Sequence, residues 1–156
     1  MTWMIYALIA VGAWGCYGVL LHTGQLAMGD PVFGRYKAYF FVGVAYMLTA
    51  VAGSAVLLWI GGASWSFSAK GAGWSTAAGI AGALGALGVL LAFGARGTPS
   101  VVMSIVFAGA PVVNAFLALA VHPPAAGPGA LRWPFVLGIL LAALGGFLVT
   151  LYRPGN

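Results

Sequence analysis

Hydrophobic residues in this chain come in long uncharged runs rather than in alternation. The runs are Trp3 to Leu21, Ala38 to Ile60, Ser75 to Ala95, Pro99 to Val121 and Trp133 to Tyr152. Each is close to the ~20 residues a helix needs to cross a bilayer. In hydrocarbon the backbone satisfies its polar groups only in a helix or a closed barrel, and barrel strands would alternate apolar with polar positions. The pattern predicts an all-α integral membrane protein of five transmembrane helices, forming a single membrane domain over 1–156.

The connections carry turn residues: Gly61 and Gly62 after the second run, Gly97 after the third, and Pro123, Pro124, Gly127, Pro128 and Gly129 in the fourth loop. In the third connection Thr98 suits an N-cap, Pro99 a first helical position, and Arg96 the carbonyl end of the helix before it. The third and fourth helices are therefore expected to form an antiparallel hairpin.

Composition strengthens this picture. Apolar types make up 63% of the 156 residues and charged types 4%, against roughly a quarter charged in a soluble domain. The charges are Asp30, Arg35, Lys37, Lys70, Arg96, Arg132 and Arg153, a net +5. These single, scattered cations make no electrostatic footprint for nucleic acid. Cys16 is alone, which excludes a disulfide framework and a thiol metal site, and it reads as a small packing residue. Met1 leads into Thr2 and Trp3 with neither a basic run nor a clean cleavage site, so a removed leader is not expected.

Five crossings place Lys70 and Arg132 on the side of the amino terminus, and Arg35, Lys37, Arg96 and Arg153 on the other. The positive-inside rule then puts the amino terminus outside and the carboxyl terminus in the cytoplasm. Trp3, Trp59, Trp65, Trp74 and Trp133 gather at the first face, and Tyr36, Tyr39 and Tyr152 at the second, as interfacial belts do. Trp14 is the exception, at mid-span.

Spacings of three and four put Trp14, Tyr17, Leu21 and Gln25 on one stripe of the first helix. Its Trp and Tyr need partners for their N–H and O–H groups, from a polar cavity or from a neighbouring helix. Ser104, Phe107, Pro111, Asn114 and Ala118 share a stripe of the fourth helix. There Pro111 removes a backbone hydrogen bond beside the Asn114 amide, either to present polar chemistry at membrane depth or at a plain helix interface. Candidate substrate-binding residues are thus Trp14, Tyr17, Gln25, Ser104, Phe107, Pro111 and Asn114. Near Asp30, the residues His22, Arg35 and Lys37 are candidates for a gate or an anion contact, with snorkelling interfacial anchors as the plainer reading. His122, beside two prolines, reads as a surface histidine. Gly79, Gly82, Gly85 and Gly88 in the third helix are expected to allow close helix approach.

No Asp or Glu lies within a run, and no Ser-His-acid set, HExxH, phosphate-binding glycine loop or Cys/His cluster is present. The sequence offers no catalytic residues, no metal ligands and no cofactor site, so an enzyme is not expected.

Several of these residues together resemble the drug/metabolite transporter superfamily, EamA-like type, in which a five-helix unit occurs alone or duplicated. Ala13, Trp14 and Gly15 resemble the Trp-Gly signature of its first helix, and Arg35 after Asp30 and Pro31 resembles the Arg opening its second. Thr98, Pro99 and Ser100 with Pro111, Val112 and Val113 resemble its fourth helix, and Gly138, Gly145 and Gly146 the glycines of its last. The likeness covers nearly the whole chain. Where the family often carries a Glu after the fourth helix, this chain has His122 and Pro123.

The resemblance implies a substrate cavity between helices one and four. A single five-helix unit supplies one half of an inverted-repeat transporter, which leads to a homodimer, in parallel or dual topology, moving a small metabolite through a midplane cavity. The rival expectation is a small accessory or structural subunit of a larger membrane complex. The lipid bilayer is the expected surrounding, and a bacterial inner (plasma) membrane the expected location.

Overall fold

The computed structural model describes residues 2–124, 127 and 132–152. Pro128, Gly129 and Arg153, on which parts of the loop and topology reading rest, lie outside the described residues. Every regular element among the described residues is helical. Five helices are long and apolar enough to cross a membrane: Thr2–Ala27, Gly34–Ile60, Ala69–Gly94, Pro99–Val121 and Trp133–Leu151.

The first helix, α1 (Thr2–Ala27), runs two turns past Leu21, because His22, Thr23 and Gln25 are polar without breaking a helix. The stop comes at Gly29, whose φ of +63° suits glycine and whose N–H donates to the Leu26 carbonyl. Asp30 then shapes the turn: its carboxylate accepts the N–H groups of Val32 and Phe33 at 3.0 and 2.9 Å.

The second span is longer than expected at its start and is not uniform. It consists of α2 (Gly34–Tyr46), a π-helical stretch (Met47–Ala52) and α3 (Gly53–Ile60). The Thr49 hydroxyl donates to the Ala45 carbonyl at 2.8 Å, and the Gly53 N–H reaches back five residues to Leu48. A side-chain bond to the carbonyl four residues back competes with the backbone ladder and favours the wider turn.

The third spanning helix, α4 (Ala69–Gly94), begins well before Ser75, because Ser68 caps it: its hydroxyl accepts the Gly71 N–H at 3.1 Å. At the other end Arg96 takes a left-handed conformation, φ 68°. Next come α5 (Pro99–Val121), as expected, and α6 (Trp133–Leu151), one residue shorter than expected. Thr98 occupies the N-cap position of α5 without a capping hydrogen bond, and its hydroxyl pairs with Ser100 Oγ at 3.3 Å.

The chain forms two compact units, 1–96 and 97–156. The expected hairpin of the third and fourth spans straddles that division. The core of the first unit lies at one end, where Leu21 of α1, Ala38 of α2 and Ala86, Val89, Leu90 and Phe93 of α4 are buried. The Tyr39 hydroxyl donates to the Ala83 carbonyl at 3.0 Å, tying α2 to α4. In the second unit Gly146 of α6 lies against Ala108 and the Ser104 carbonyl of α5.

The glycines of α4 do not make the close approach expected of them. No described atom lies within 4 Å of a Cβ built at Gly79, Gly82, Gly85 or Gly88. In no span is more than 22% of the apolar window buried, so the remaining surface needs lipid or further helices to cover it.

Candidate functional site

On α1 the four stripe residues differ in surroundings. Leu21 is buried, Tyr17 and Gln25 are half-buried, and Trp14 is exposed with its ring 5.3 Å from that of Tyr17, tilted by 54°. The polar atoms are the informative ones. Tyr17 Oη and Gln25 Oε1 are both shielded from solvent and have no hydrogen-bond partner among the described residues. A buried hydroxyl or amide oxygen left unpaired costs roughly 1–3 kcal/mol, so two on one stripe single it out as a candidate contact surface.

Beside that stripe runs a groove of about 280 Å³ between α1 and α2. Tyr17, Leu20 and Gly24 line it on one side, and Ala38, Phe41 and Ala45 on the other. Gly24 leaves its wall open, with no described atom within 4 Å of where a Cβ would stand. A second, larger groove of about 600 Å³ lies between α2 and α4, lined by residues that include Tyr36, Phe40, Gly43, Met47 and Ala83.

At the buried end of the first unit the charged residues are arranged by the turn before α2. Lys37 Nζ and Asp30 Oδ2 are 2.7 Å apart, the one ion pair among the described residues. Arg35 reaches the end of α4: its Nη1 stands 2.6 Å from where a Cβ of Gly94 would be, and its guanidinium carbon lies 5.6 Å from the centre of the Tyr36 ring. The guanidinium thus meets the negative end of the α4 dipole. His22 packs its ring edge-on to Phe93, with centroids 5.0 Å apart. His22, Arg35 and Lys37 are therefore brought to one end of the first unit, with Lys37 already neutralised by Asp30.

The hydrogen bond from Lys37, then those from the N–H groups of Phe33 and Val32, hold the Asp30 carboxyl down from its ordinary 3.8 to about 2. A depressed folded-state pKa stabilises the fold in full above pH 3.8, and that contribution is lost as pH falls through about 2. The thermal midpoint of the native protein should therefore drop across this window, and Asp30→Asn should show a flatter profile there. An equally steep profile in the variant would assign the acid sensitivity elsewhere.

The stripe on α5 belongs to the second unit. Ser104 spends its hydroxyl locally on the Ser100 carbonyl at 2.6 Å. Phe107, Pro111 and Asn114 are exposed, and the helix continues through Pro111. The Asn114 amide has no hydrogen bond among the described residues, but unlike Tyr17 and Gln25 it stands on an open surface. His122 ends the helix, exposed, its N–H donating to Ala118 at 2.7 Å.

No family model, curated protein or solved structure matches the chain. The site therefore rests on its own geometry. Stripe spacing alone singled out Tyr17 and Gln25; the groove next to them depends on how α1 meets α2, and neither helix reports that separately. Tyr39, Gly43 and Met47 were not singled out as a groove at all, because an apolar run looks the same from every side.

Chemically, the α1 stripe offers a hydroxyl and two aromatic faces near mid-span and, eight residues further on, an amide oxygen in the last turn of the helix. Groups of these kinds are able to contact a small molecule.

Proposed function

We propose that the chain is a small-metabolite membrane transporter working as a homodimer, with a midplane cavity into which the α1 stripe faces. The observation that carries this reading is the pair of shielded, unpartnered polar atoms on that stripe, Tyr17 Oη and Gln25 Oε1. Leaving both unpaired in every state would be costly, and a transported molecule with its own donor and acceptor satisfies them in turn as it passes along the stripe. The likeness of the Trp14, Arg35 and Pro111 motifs to EamA-like transporters points the same way. Movement would be passive or by exchange, since the spans carry no carboxylate to couple to protons. The amino terminus would lie outside and the carboxyl terminus in the cytoplasm of a bacterial inner membrane.

The first half of α4 supports a partner. From Ala69 to Gly82 every residue is exposed, and Gly73, Gly79 and Gly82 face open space. Small residues at such spacing let another helix approach closely. The same surface also suits a foreign chain, which keeps an accessory-subunit role as the second reading.

Two measurements separate the readings. Native mass spectrometry of the tagged protein, gently extracted, is expected to give twice the chain mass, and a fixed stoichiometry with unrelated chains would favour the accessory role. Proteoliposomes screened with radiolabelled amino acids, sugars and nucleosides should then show flux for at least one class. Gln25→Leu should reduce that flux at least tenfold without loss of folded protein, and wild-type flux in this variant would remove Gln25 from the site.

A further inference from the structure

We infer that the basic end of the first unit and the groove along α2 bind one anionic phospholipid, its phosphate held by Arg35 and Arg96 and one acyl chain laid along Tyr36, Phe40, Gly43 and Met47.

Charge selects the headgroup. Asp30 is the only acidic residue of the chain, and it is occupied by Lys37 at 2.7 Å. Arg35 and Arg96 are thereby left without a carboxylate partner at this end, Arg35 meeting only the Val32 carbonyl, the Tyr36 ring and the end of α4. Both belong to the same end of α4: the Arg35 guanidinium lies against Gly94, and Arg96 follows Gly94 by two residues, in the left-handed turn that ends the helix. Guanidinium groups match phosphate oxygens bidentately and are weakly hydrated, which suits the bilayer interface.

The shape of α2 selects the tail. A groove of about 600 Å³ lined by Tyr36, Phe40, Gly43 and Met47 runs as a track along the helix. It starts at Tyr36 and ends at Met47, where the π-helical stretch begins. Eleven residues at 1.5 Å each span about 16 Å, roughly half of a hydrocarbon core ~30 Å thick. The track is therefore one leaflet deep. The bond from the Tyr39 hydroxyl to Ala83 removes a polar group from its wall, and Gly43 has no described atom within 4 Å of a Cβ position. Head and tail are joined at Tyr36, whose ring lines the track and lies under the Arg35 guanidinium. A free phosphate would use the first feature and leave the second empty, so a phospholipid is the occupant that fits both.

The test is native mass spectrometry of the full chain in detergent, titrated with phosphatidylglycerol or phosphatidylcholine of matched acyl chains. Phosphatidylglycerol is expected to bind about tenfold tighter or more, and equal retention of the two lipids would overturn the headgroup assignment. Arg35→Gln and Arg96→Gln should each cost about fivefold in phosphatidylglycerol affinity, in line with the attraction of one basic residue at a membrane surface. Wild-type affinity in the double variant would overturn it too. Displacement of the lipid by millimolar inorganic phosphate would show a free-phosphate site instead. For the tail, Gly43→Phe fills the track and should weaken both lipids. Affinity should also rise with acyl length up to the depth of one leaflet, which the native protein reports even where Gly43→Phe does not fold. Affinity independent of chain length would overturn the groove as the acyl site.

Discussion

Tyr17→Phe is expected to raise the thermal stability of the purified protein and, in the same variant, reduce flux to the background of empty liposomes. Removing a partnered hydroxyl loses a hydrogen bond and destabilises. Removing one that is shielded and unpartnered removes a desolvation penalty, so a gain of about 1–2 kcal/mol is expected, visible as a higher thermal midpoint in detergent. The substrate found in the liposome screen should then lose its bond to Tyr17 while the stripe keeps its shape. A lower midpoint would mean that the hydroxyl is satisfied within the folded protein. Unchanged flux in a more stable variant would mean that the orphaned oxygen serves no passenger, and the transport reading would lose its main support.

Gly146→Leu is expected to break the contact between α5 and α6. A Cβ built at Gly146 would fall on the Cβ of Ala108, and the Ser104 carbonyl stands 3.3 Å away. Even Gly146→Ala therefore requires the helices to separate, at a cost typical of overpacking, about 1–3 kcal/mol, and a leucine requires more. Within a bilayer such close approach is a main source of helix association, because no hydrophobic drive holds the pair together. Adding Ala108→Gly to Gly146→Ala returns the lost space and should recover most of the midpoint. A Gly146→Ala protein as stable as the native one would show that the two helices do not meet there.

These two residues also show what can be read from a linear chain. Gly146 was marked out only as one of three glycines in the last helix, together with Gly138 and Gly145. In space it alone is pressed against a neighbour, and the other two have no described atom within 4 Å. Which glycine meets a partner depends on where two helices cross, and that information lies in both at once. The spans themselves were legible because an uncharged run of twenty residues has few alternatives in any solvent. Their ends were less so. Gly29 and Ser68 set the true limits of α1 and α4 through backbone and hydroxyl chemistry, whereas polarity suggested His22 and Ser75. Arg35 was recognised as unusual, but its place against Gly94 is a tertiary fact, since the two lie on different helices of the first unit.

The wide turn at Met47–Ala52 has a consequence for how this chain tolerates change in length. One residue added to an α-helix swings everything beyond it by about 100°, turning a lipid-facing side inward. A π-helical turn takes up that residue and leaves the far end pointing as before. Gly53–Ile60 therefore keeps its heading relative to Gly34–Tyr46 if the join loses its extra residue and closes to an ordinary α-turn. Among the five spans the second is the one in which a single deletion can be inherited silently.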